Sequence, residues 1–441
     1  MEENIRIEGL SYGSAGVGHS KDGKTIFVHK SAPGDLLKVK ITEDHPRFSW
    51  AVIESIIEPS DSRVEPLCPY YESCGGCSWQ HIAYDQQLKA KQRNVGDMLK
   101  KNAHMEISRI QTLLKPTFPS KRNFGFRNKI ELACAYTAKK GFEVGFYEQN
   151  SHNIVSIDFC PIAHKPIEKT PKALRGALRY LQSTQDLNIF RIAVRNSLRT
   201  GNTEIALWTK PGPFPRGAVS KTLKNACKTT SIVRVIAGPG KKRAIKQVEV
   251  LDGKGYWEED LAGLRFKTSA PSFFQVNTGQ AEKLIEEVQK QLFVKPNAII
   301  ADLYAGGGSF SLPLAQNFEE VIAVESAATS VRDLRRNADI NQLDIDIIGG
   351  DSARELSSLG SLDALVVDPP RAGLAHGVIK DIARSRAQQV VYVSCNPATW
   401  ARDVARFEEC GYRLSSVQPV DLFPQSYHVE IVSVFERSLG F

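Results

Sequence analysis

The chain has 441 residues, of which 42% are hydrophobic and 24% charged, with 57 Lys and Arg against 49 Asp and Glu. This length predicts about three domains, and the composition excludes a mainly disordered or collagen-like protein. No apolar stretch reaches the roughly 20 residues that span a bilayer, and the acidic N-terminus lacks the apolar core of a secretory signal. We therefore expect a cytoplasmic protein without membrane contact.

The net charge of +8 is unevenly distributed along the chain. Residues 1–79 carry a balance of −4, residues 80–255 carry +20, and residues 256–441 carry −8. A basic excess confined to the middle third favours a polyanionic partner, most simply nucleic acid. The alternative is a set of solvated surface charges, since sequence order alone does not place these side chains on one face.

Residues 1–60 predict a small β-barrel. Strand-like runs at Thr25–His29, Leu36–Ile41 and Trp50–Ile57 are separated by glycine-containing turns. Short strands at this spacing are typical of small barrels. The pattern resembles the TRAM domain, an OB-like RNA-binding module. Because this segment is not basic, RNA binding there would depend on shape, stacking or backbone contacts.

The pattern of predicted strands and helices changes near residue 270. Residues 61–270 predict a central α+β domain, with a helix at Tyr84–Asn102 and strands at Phe190–Val194, Glu204–Leu207 and Ile232–Ala237. From residue 271, apolar strands alternate with helical segments. That alternation predicts a doubly wound, mostly parallel α/β sheet of the Rossmann-like type.

Three closely spaced cysteines predict a metal centre. Cys68, Cys74 and Cys77 follow a C-x5-C-x2-C pattern, and Cys160, which precedes a proline, is the best candidate for a fourth ligand. Disulfides are disfavoured in a reducing cytosol. The ligand spacing alone leaves an iron–sulfur cluster and a four-thiolate zinc site as open alternatives.

A glycine-rich turn predicts a nucleotide-like cofactor site. The segment from Asp302 to Phe310 follows an apolar strand and opens a helix, and Glu325 ends the next strand 23 residues later. An acid at that position commonly accepts hydrogen bonds from ribose hydroxyls. The acid before the turn and Ser311 in place of a third glycine fit S-adenosylmethionine better than NAD. Asp351 lies at the end of the third strand. It is either a further acid of the cofactor site or simply the cap of the helix that follows.

Two further strand ends carry reactive side chains. Asp368 follows the strand Ala364–Val367, and Cys395 lies between the strand Val390–Val393 and a predicted helix. A thiol beside a helix N-terminus is expected to have a lowered pKa; a buried structural cysteine is the alternative. Glu430 precedes an apolar strand. An acid at that position has either a catalytic role or a structural one, in a turn or a salt bridge.

Taken together, these motifs resemble the TRAM-containing, iron–sulfur RNA 5-methyluridine (uracil-C5) methyltransferases, most closely the members that act on 23S rRNA. The resemblance rests on the cysteine pattern and on the segments FFQVN, DLYAGGGSF, DPPRAG, SCNP and FPQSYHVE. It implies a 4Fe-4S cluster on the four cysteines above and domains at 1–60, 61–270 and 271–441. It also implies that S-adenosylmethionine is held by Gln275, Tyr304, Glu325 and Asp368.

The resemblance further implies a mechanism and partners. Cys395 would attack C6 of uracil as the nucleophile, and Glu430 would be the general base. The RNA would be 23S rRNA, with tRNA as the alternative, and the protein a monomer. A non-catalytic RNA-binding or ribosome-assembly protein is disfavoured, because it need retain neither side chain. We expect a basic cluster to contact phosphates; its members are Lys121, Arg122, Arg127 and Lys129. Phe273 and Phe274 are either core residues or surface aromatics that stack on the bases of the RNA.

Overall fold

The computed structural model describes residues 2–137, 141–182, 186–238, 244–375 and 377–438. Its strands are β1 (Glu2–Leu10), β2 (Ala15–His19), β3 (Thr25–His29), β4 (Leu36–Asp44), β5 (Phe48–Glu58), β6 (Lys129–Thr137), β7 (Gly141–Tyr147), β8 (Ile154–Ser156), β9 (Ile189–Asn196), β10 (Thr203–Thr209), β11 (Ser231–Ala237), β12 (Ile245–Gly253), β13 (Trp257–Leu261), β14 (Leu264–Thr268), β15 (Ile299–Leu303), β16 (Glu320–Glu325), β17 (Asp346–Gly349), β18 (Ala364–Val367), β19 (Gln389–Ser394), β20 (Tyr412–Val420) and β21 (Glu430–Arg437).

The helices are α1 (Tyr84–Asn102), α2 (Ile107–Leu113), α3 (Thr170–Gln182), α4 (Arg216–Ala226), α5 (Thr278–Gln291), α6 (Ser311–Ala315), α7 (Ala328–Asn341), α8 (Ser352–Glu355), α9 (Val378–Arg384) and α10 (Pro397–Glu409), with a 3-10 turn at Leu356–Ser358. None of these described helices has the length and hydrophobicity that a membrane span requires.

The N-terminal strands close into a five-stranded barrel in the order β1-β2-β3-β5-β4. Every second side chain of these strands points inward, as the period of two requires. Ile5, Ile26, Val28 and Leu37 belong to the resulting apolar core. The predicted N-terminal barrel is therefore confirmed.

The middle of the chain forms a seven-stranded sheet in the order β12-β11-β10-β9-β6-β7-β8. Side chains of α3 and α4, among them Leu174, Leu178 and Leu223, pack with this sheet into one apolar core. Helix α1 has the bounds that the sequence predicted, but its Val95 and Leu99 lie in the core of the C-terminal sheet. The division of the chain at residues 60 and 270 stays a prediction.

The C-terminal sheet has the order β17-β16-β15-β18-β19-β21-β20. Strands β15 to β19 are parallel, and β20 and β21 form an antiparallel pair at one side. The runs that read as strands are fully buried at Ala364–Val367 and Gln389–Ser394, because helices cover both faces. This is the doubly wound arrangement that the sequence predicted, and it points the carboxyl ends of the parallel strands toward one edge.

Candidate active site

One edge of the C-terminal sheet gathers five of the predicted site residues. Tyr304 follows β15, Glu325 ends β16, Asp368 follows β18, Cys395 follows β19, and Glu430 begins β21. The strand order places them in the row β16, β15, β18, β19, β21. Since neighbouring strands lie about 4.8 Å apart, the row spans about 19 Å. That length accommodates an adenosyl cofactor at one end and a second reactant at the other.

The glycine turn after β15 holds Glu325 in place. Gly306 donates its backbone N–H to Glu325 Oε2 at 2.8 Å, and Ala327 donates to Glu325 Oε1 at 2.6 Å. Gly308 has a φ of +94°, and a Cβ there would lie 2.2 Å from Leu312 Cδ1, so glycine is required. Oε1 also accepts the Ser326 hydroxyl at 3.5 Å, whereas Oε2 keeps a second lone pair that is able to accept a ribose hydroxyl.

Two carboxyl groups beside this turn lack a cationic partner among the described residues. Asp302 is fully buried; its Oδ2 accepts the Ser311 hydroxyl, and its Oδ1 has no hydrogen-bond partner in the part of the chain that the structure describes. Burial raises the pKa of Asp302 to about 7, and burial together with Asp302 raises the pKa of Asp368 to about 7. A positively charged ligand would satisfy both acids, so the residues present fit the predicted S-adenosylmethionine, which carries an ammonium and a sulfonium.

Cys395 and Glu430 lie opposite each other at the end of an antiparallel strand pair. Ser394 of β19 pairs with Ile431 of β21, so the next residues in each direction are Cys395 and Glu430. Glu430 is buried and Cys395 is partly exposed. Burial, followed by the nearby Asp368, raises the pKa of Glu430 well above its usual range. A carboxyl with a raised pKa is suited to proton transfer near neutrality.

The predicted lowering of the Cys395 pKa is wrong. Burial, then Glu430 and Asp368, raises the pKa of the thiol to about 11, and Arg371 opposes them. Helix α10 contributes little, since its first residue, Pro397, has no N–H and the next amide is already capped by the Asn396 side chain at 3.1 Å. Burial, together with the neighbouring acids, outweighs the helix terminus at this position.

Arg371 and His428 belong to the same edge, and the sequence did not single them out. Arg371 Nη2 lies 3.2 Å from His428 Nδ1, and its carbonyl accepts the Asn396 side chain at 3.0 Å. Burial, followed by Arg371, lowers the pKa of His428 to about 4, so this ring is neutral at physiological pH. Both residues lie in motifs that the sequence shows, DPPRAG and FPQSYHVE, but the contact between them is visible only in the structure.

Side chains of helix α1 hold the segment that precedes Glu430, at residues 421–429. Lys91 Nζ binds Asp421 Oδ1, and the Tyr84 hydroxyl donates to Asp421 Oδ2 at 2.7 Å. Gln87 Nε2 donates to Gln425 Oε1 at 3.1 Å, and the Gln425 backbone N–H donates back to Gln87 Oε1 at 3.0 Å. These bonds hold residues 421–429 in place and so determine the position of Glu430, which follows them.

Gln275 lies in a buried segment between two domains. Its carbonyl accepts the Asn128 side chain at 2.8 Å, which ties it to the central sheet. Its neighbours differ from each other: Phe274 is buried against Trp257, whereas Phe273 is 64% exposed. Of the two alternatives for these phenylalanines, Phe274 is a core residue and Phe273 has a ring accessible for stacking.

The four predicted cysteine ligands line one cavity of about 460 Å³; they are Cys68, Cys74, Cys77 and Cys160. Burial raises the pKa of the Cys77 thiol to about 12 and that of Cys160 to about 11, and the other cysteines add to both. Gly75 lies close to the backbone of β7, since a Cβ there would be 3.0 Å from the Tyr147 carbonyl oxygen. The chain thus brings together cysteines that lie far apart in sequence.

Among the described residues, no group of three or more His, Cys, Asp or Glu side chains is placed to hold one metal ion. The donor set around the cavity is nevertheless made of soft thiol ligands, which zinc and iron–sulfur clusters prefer.

Comparison with known proteins identifies the family. Residues 83–438 match the tRNA (Uracil-5-)-methyltransferase family, and residues 2–53 match the TRAM domain. The chain belongs to the RNA uracil-5-methyltransferase family. An uncharacterized RNA methyltransferase of Thermosynechococcus vestitus is 33% identical over 98% of each chain. One of Listeria innocua is 34% identical over 98% of this chain and 96% of its own.

A solved structure supports the same family. Pyrococcus abyssi tRNA (uracil-54, C5)-methyltransferase, in complex with S-adenosyl-L-homocysteine, is 29% identical and superposes with a TM-score of 0.76 over 98% of this chain and 99% of its own. The resemblance drawn from the motifs is confirmed, and the chain is an RNA methyltransferase of the uracil-5 type.

The predicted basic cluster of this RNA methyltransferase is divided in the structure. Lys121 and Arg122 are exposed and line a groove of about 620 Å³ between the central and C-terminal sheets. Lys129 is paired with Glu131 at 2.5 Å, and burial lowers its pKa to about 8. Arg127 lines the cysteine cavity. Lys121 and Arg122 are thus the most exposed members of the cluster, and its contact with phosphates stays a prediction. A further basic run, at residues 241–243, lies outside the described residues.

Proposed function

We propose that this RNA methyltransferase methylates C5 of a specific uridine, in 23S rRNA, through a covalent adduct between Cys395 and C6 of the base. The observation that carries the proposal is the placement of Cys395 opposite Glu430, on the same sheet edge as the glycine turn and Glu325. The side chains needed for nucleophilic attack and proton removal are thus adjacent, one strand away from Asp368.

Cys395 supplies the nucleophile. Uracil C5 is unreactive while the ring is conjugated, and addition of a thiolate at C6 moves an electron pair toward C5 and O4 as an enolate. Because the pKa of Cys395 is raised, its thiolate must form in the bound complex, where Arg371 favours the anion. A target base inside a helix is out of reach, so the uridine must be splayed out of its stack.

The order of the strand ends suggests which residues contact each part of the cofactor. S-adenosylmethionine supplies the methyl group from its sulfonium to C5. In this proposal Glu325 accepts the ribose hydroxyls, Tyr304 and Asp368 border the middle of the site, and Gln275 adds a further contact. Burial raises the pKa of Asp302 and of Asp368 to about 7, and a cationic ligand bound beside them would favour their ionised forms.

Glu430 completes the reaction as general base. Once C5 carries the methyl group, the Glu430 carboxylate takes the proton that remains on C5. The electron pair of that C–H bond re-forms the C5–C6 double bond and expels the Cys395 thiolate. Release of the proton from Glu430 to solvent then restores the enzyme. Asp368 and burial, by raising the pKa of Glu430, make the carboxylate a stronger base.

A trapped adduct tests this mechanism. RNA with 5-fluorouridine at the target should stay bound covalently, since fluorine does not leave as a proton. Cys395→Ala should abolish the adduct, whereas Cys410→Ala, a matched change at the other end of α10, should preserve it. Glu430→Gln should methylate ordinary RNA and then accumulate as a covalent complex. An adduct that persists in Cys395→Ala would contradict the assignment.

Two classes of RNA are candidates for the substrate. The combination of a TRAM domain with four clustered cysteines favours 23S rRNA, as in the family members that the sequence resembles. A transfer RNA is the second candidate, because the solved relative from Pyrococcus abyssi is a tRNA (uracil-54, C5)-methyltransferase. Mapping 5-methyluridine in both RNAs from cells with and without the gene decides between them; loss confined to tRNA would overturn the first choice.

We also propose a 4Fe-4S cluster on Cys68, Cys74, Cys77 and Cys160. Its support is the single cavity of about 460 Å³ that all four cysteines line. A four-thiolate zinc site needs sulfurs that converge on one ion, whereas a cluster fills a larger space. The cluster would have a structural or RNA-orienting role, since methyl transfer to an enolate needs no electron carrier.

Iron content tests the cluster independently of activity. Protein purified without oxygen should be brown and contain about four irons per chain. Cys160→Ser should lose the iron, whereas Cys134→Ser, a change at a buried cysteine outside the cavity, should retain it. One zinc and no iron per chain would refute the proposal.

The organisation of the whole protein is proposed in the same terms. It comprises a TRAM barrel at 1–60, a central domain at 61–270 and a methyltransferase domain at 271–441, and it acts as a monomer in the cytoplasm. Sedimentation of the purified protein tests the monomer, since a dimer would sediment at twice the mass of 48.8 kDa.

A further inference from the structure

The loop between β1 and β2 brings Tyr12 from the N-terminal barrel to the rim of the active site. The Tyr12 ring packs edge-on against Tyr427, with centroids 5.5 Å apart. The Tyr427 ring lies 4.2 Å from His428, and His428 faces Arg371 at 3.2 Å. A continuous row of side chains therefore connects the barrel with the segment that follows Asp368.

This loop is held in a defined position. The Ser11 backbone N–H and hydroxyl both donate to the Ala15 carbonyl, at 3.0 and 2.9 Å, and close the turn. Gln149, on the hairpin of β7 and β8, donates to Ser14 Oγ at 3.1 Å. Leu10 is buried in an apolar cluster against which Tyr427 packs. Tyr12 is thus presented by a loop that contacts both of the other domains.

The surroundings of Tyr12 place it near the reacting groups. Its side chain is partly exposed, so one part of the ring faces outward. Burial, then Tyr427, raises the pKa of the Tyr12 hydroxyl, and Cys395 and Glu430 add smaller effects of the same sign. Tyr12 therefore lies within electrostatic reach of both residues, although it is far from them in sequence.

We propose that Tyr12 is a substrate-positioning residue, whose ring packs on the splayed-out uridine or the base next to it and holds the target over Cys395. The inference rests on the proposed function. A base removed from its stack loses its neighbours, and an aromatic side chain replaces that contact. In this arrangement the barrel forms part of the active site, and its contribution to catalysis is not limited to RNA affinity.

Three variants test the proposal: Tyr12→Ala, Tyr12→Phe and Phe48→Ala. Phe48 is a matched control, because it is a partly exposed aromatic on the same barrel but lies beside Thr25, at the end of β3 distant from the Tyr12 loop. The measurements are the single-turnover rate of methyl transfer and the rate of adduct formation with 5-fluorouridine RNA, both at saturating RNA.

We expect Tyr12→Ala to lower both rates about 10- to 100-fold, the range that loss of one base–aromatic stack produces. Tyr12→Phe should stay within about twofold of the wild type, because the ring provides the contact, and Phe48→Ala should do the same. Affinity for S-adenosylmethionine should not change. If Tyr12→Ala unfolds, Tyr12→Leu retains apolar bulk without a stacking face and should show the same loss.

Two results would overturn the inference: wild-type rates in Tyr12→Ala or Tyr12→Leu at saturating RNA, or an equal loss in Phe48→Ala. A wild-type protein that forms no adduct at all would instead refute the proposed function. The two failures are therefore distinguishable in one set of measurements.

Discussion

At the scale of single residues, the charge state of Cys395 depends on what is bound beside it. Glu430 and Asp368 raise the pKa of its thiol, and Arg371 lowers it. A cation brought into the same edge acts in the direction of Arg371, because a nearby positive charge favours the thiolate. Cofactor binding should therefore activate the nucleophile as well as deliver the methyl group.

This coupling is measurable by thiol alkylation. In the free protein, the alkylation rate of Cys395 should rise with pH toward a midpoint of about 11. S-adenosylmethionine should move the midpoint down, whereas S-adenosylhomocysteine, which has no sulfonium, should shield the thiol without that shift. Cys410, about 20 Å away along α10, is the internal control. An identical midpoint with both ligands would contradict the electrostatic account.

Asp302 makes the stability of the protein depend on pH. Its folded pKa of about 7 is above the value of roughly 4 for an unfolded aspartate, so the folded state binds the proton more tightly. The free energy of unfolding should therefore fall as pH rises from about 4 to 7. Asp368 adds a contribution of the same sign.

Urea unfolding at pH 5 and pH 8 tests this dependence. Asp302→Asn should shrink the difference in unfolding free energy between the two pH values, because the amide has no charge to bury. Asp351→Asn, at the exposed cap of α8, should leave the difference as it is. A difference unaffected by Asp302→Asn would show that other groups produce the pH dependence.

At the scale of elements, helix α1 positions the segment that leads to Glu430. The segment at residues 421–429 has little regular structure and depends on side chains from α1, chiefly Lys91 and Gln87. Lys91 and Asp421 are both fully buried, so neither charge is solvated if its partner is removed. The cysteine loop contributes too, since the backbone N–H groups of Ser78 and Trp79 both donate to the Gln425 carbonyl at 3.0 Å.

Lys91→Met should destabilise the protein by about 3–5 kcal/mol, the usual cost of leaving one buried charge unpaired. Lys89→Met, which removes an exposed ion pair on the same helix, should cost less than about 1 kcal/mol. Replacing both partners, as Lys91→Met with Asp421→Asn, should recover part of the loss. Urea unfolding of the three variants measures these effects; equal costs for Lys91→Met and Lys89→Met would refute the anchoring role.

At the scale of the whole molecule, the charge of the central domain is distributed over several surfaces. Lys121 and Arg122 face the groove between the central and C-terminal sheets, together with Arg199 and Lys283, whereas Lys129 is neutralised by Glu131. RNA that lies in this groove would meet the first two side chains. Each phosphate contact made there releases a counterion and steepens the salt dependence of binding.

Reversing Lys121 and Arg122 to Glu should weaken RNA binding and flatten the slope of log affinity against log salt by about 1.4, at about 0.7 per contact with single-stranded RNA. The affinity for S-adenosylmethionine should not change. Reversing Lys100 and Lys101, two exposed lysines at the end of α1, is the control for general electrostatic attraction. Equal losses in the two double variants would show that the groove is not the RNA path.

The sequence by itself determined the elements and the edge at which they meet. The bounds of β3, α1 and β18 agree with prediction, because hydrophobic periods of 2 and 3.6 are local properties of the chain. The placement of Glu325, Asp368 and Cys395 on one edge also follows, since parallel strands point their carboxyl ends the same way.

Tertiary structure alone decided the electrostatics and the partners. The pKa of Cys395 rises because the thiol is buried and because Glu430 and Asp368 approach it from other strands. Tyr12 reaches the active site only because the barrel packs against the segment that carries Tyr427. Burial and Coulomb interactions depend on distances through space, which join residues that the sequence keeps far apart.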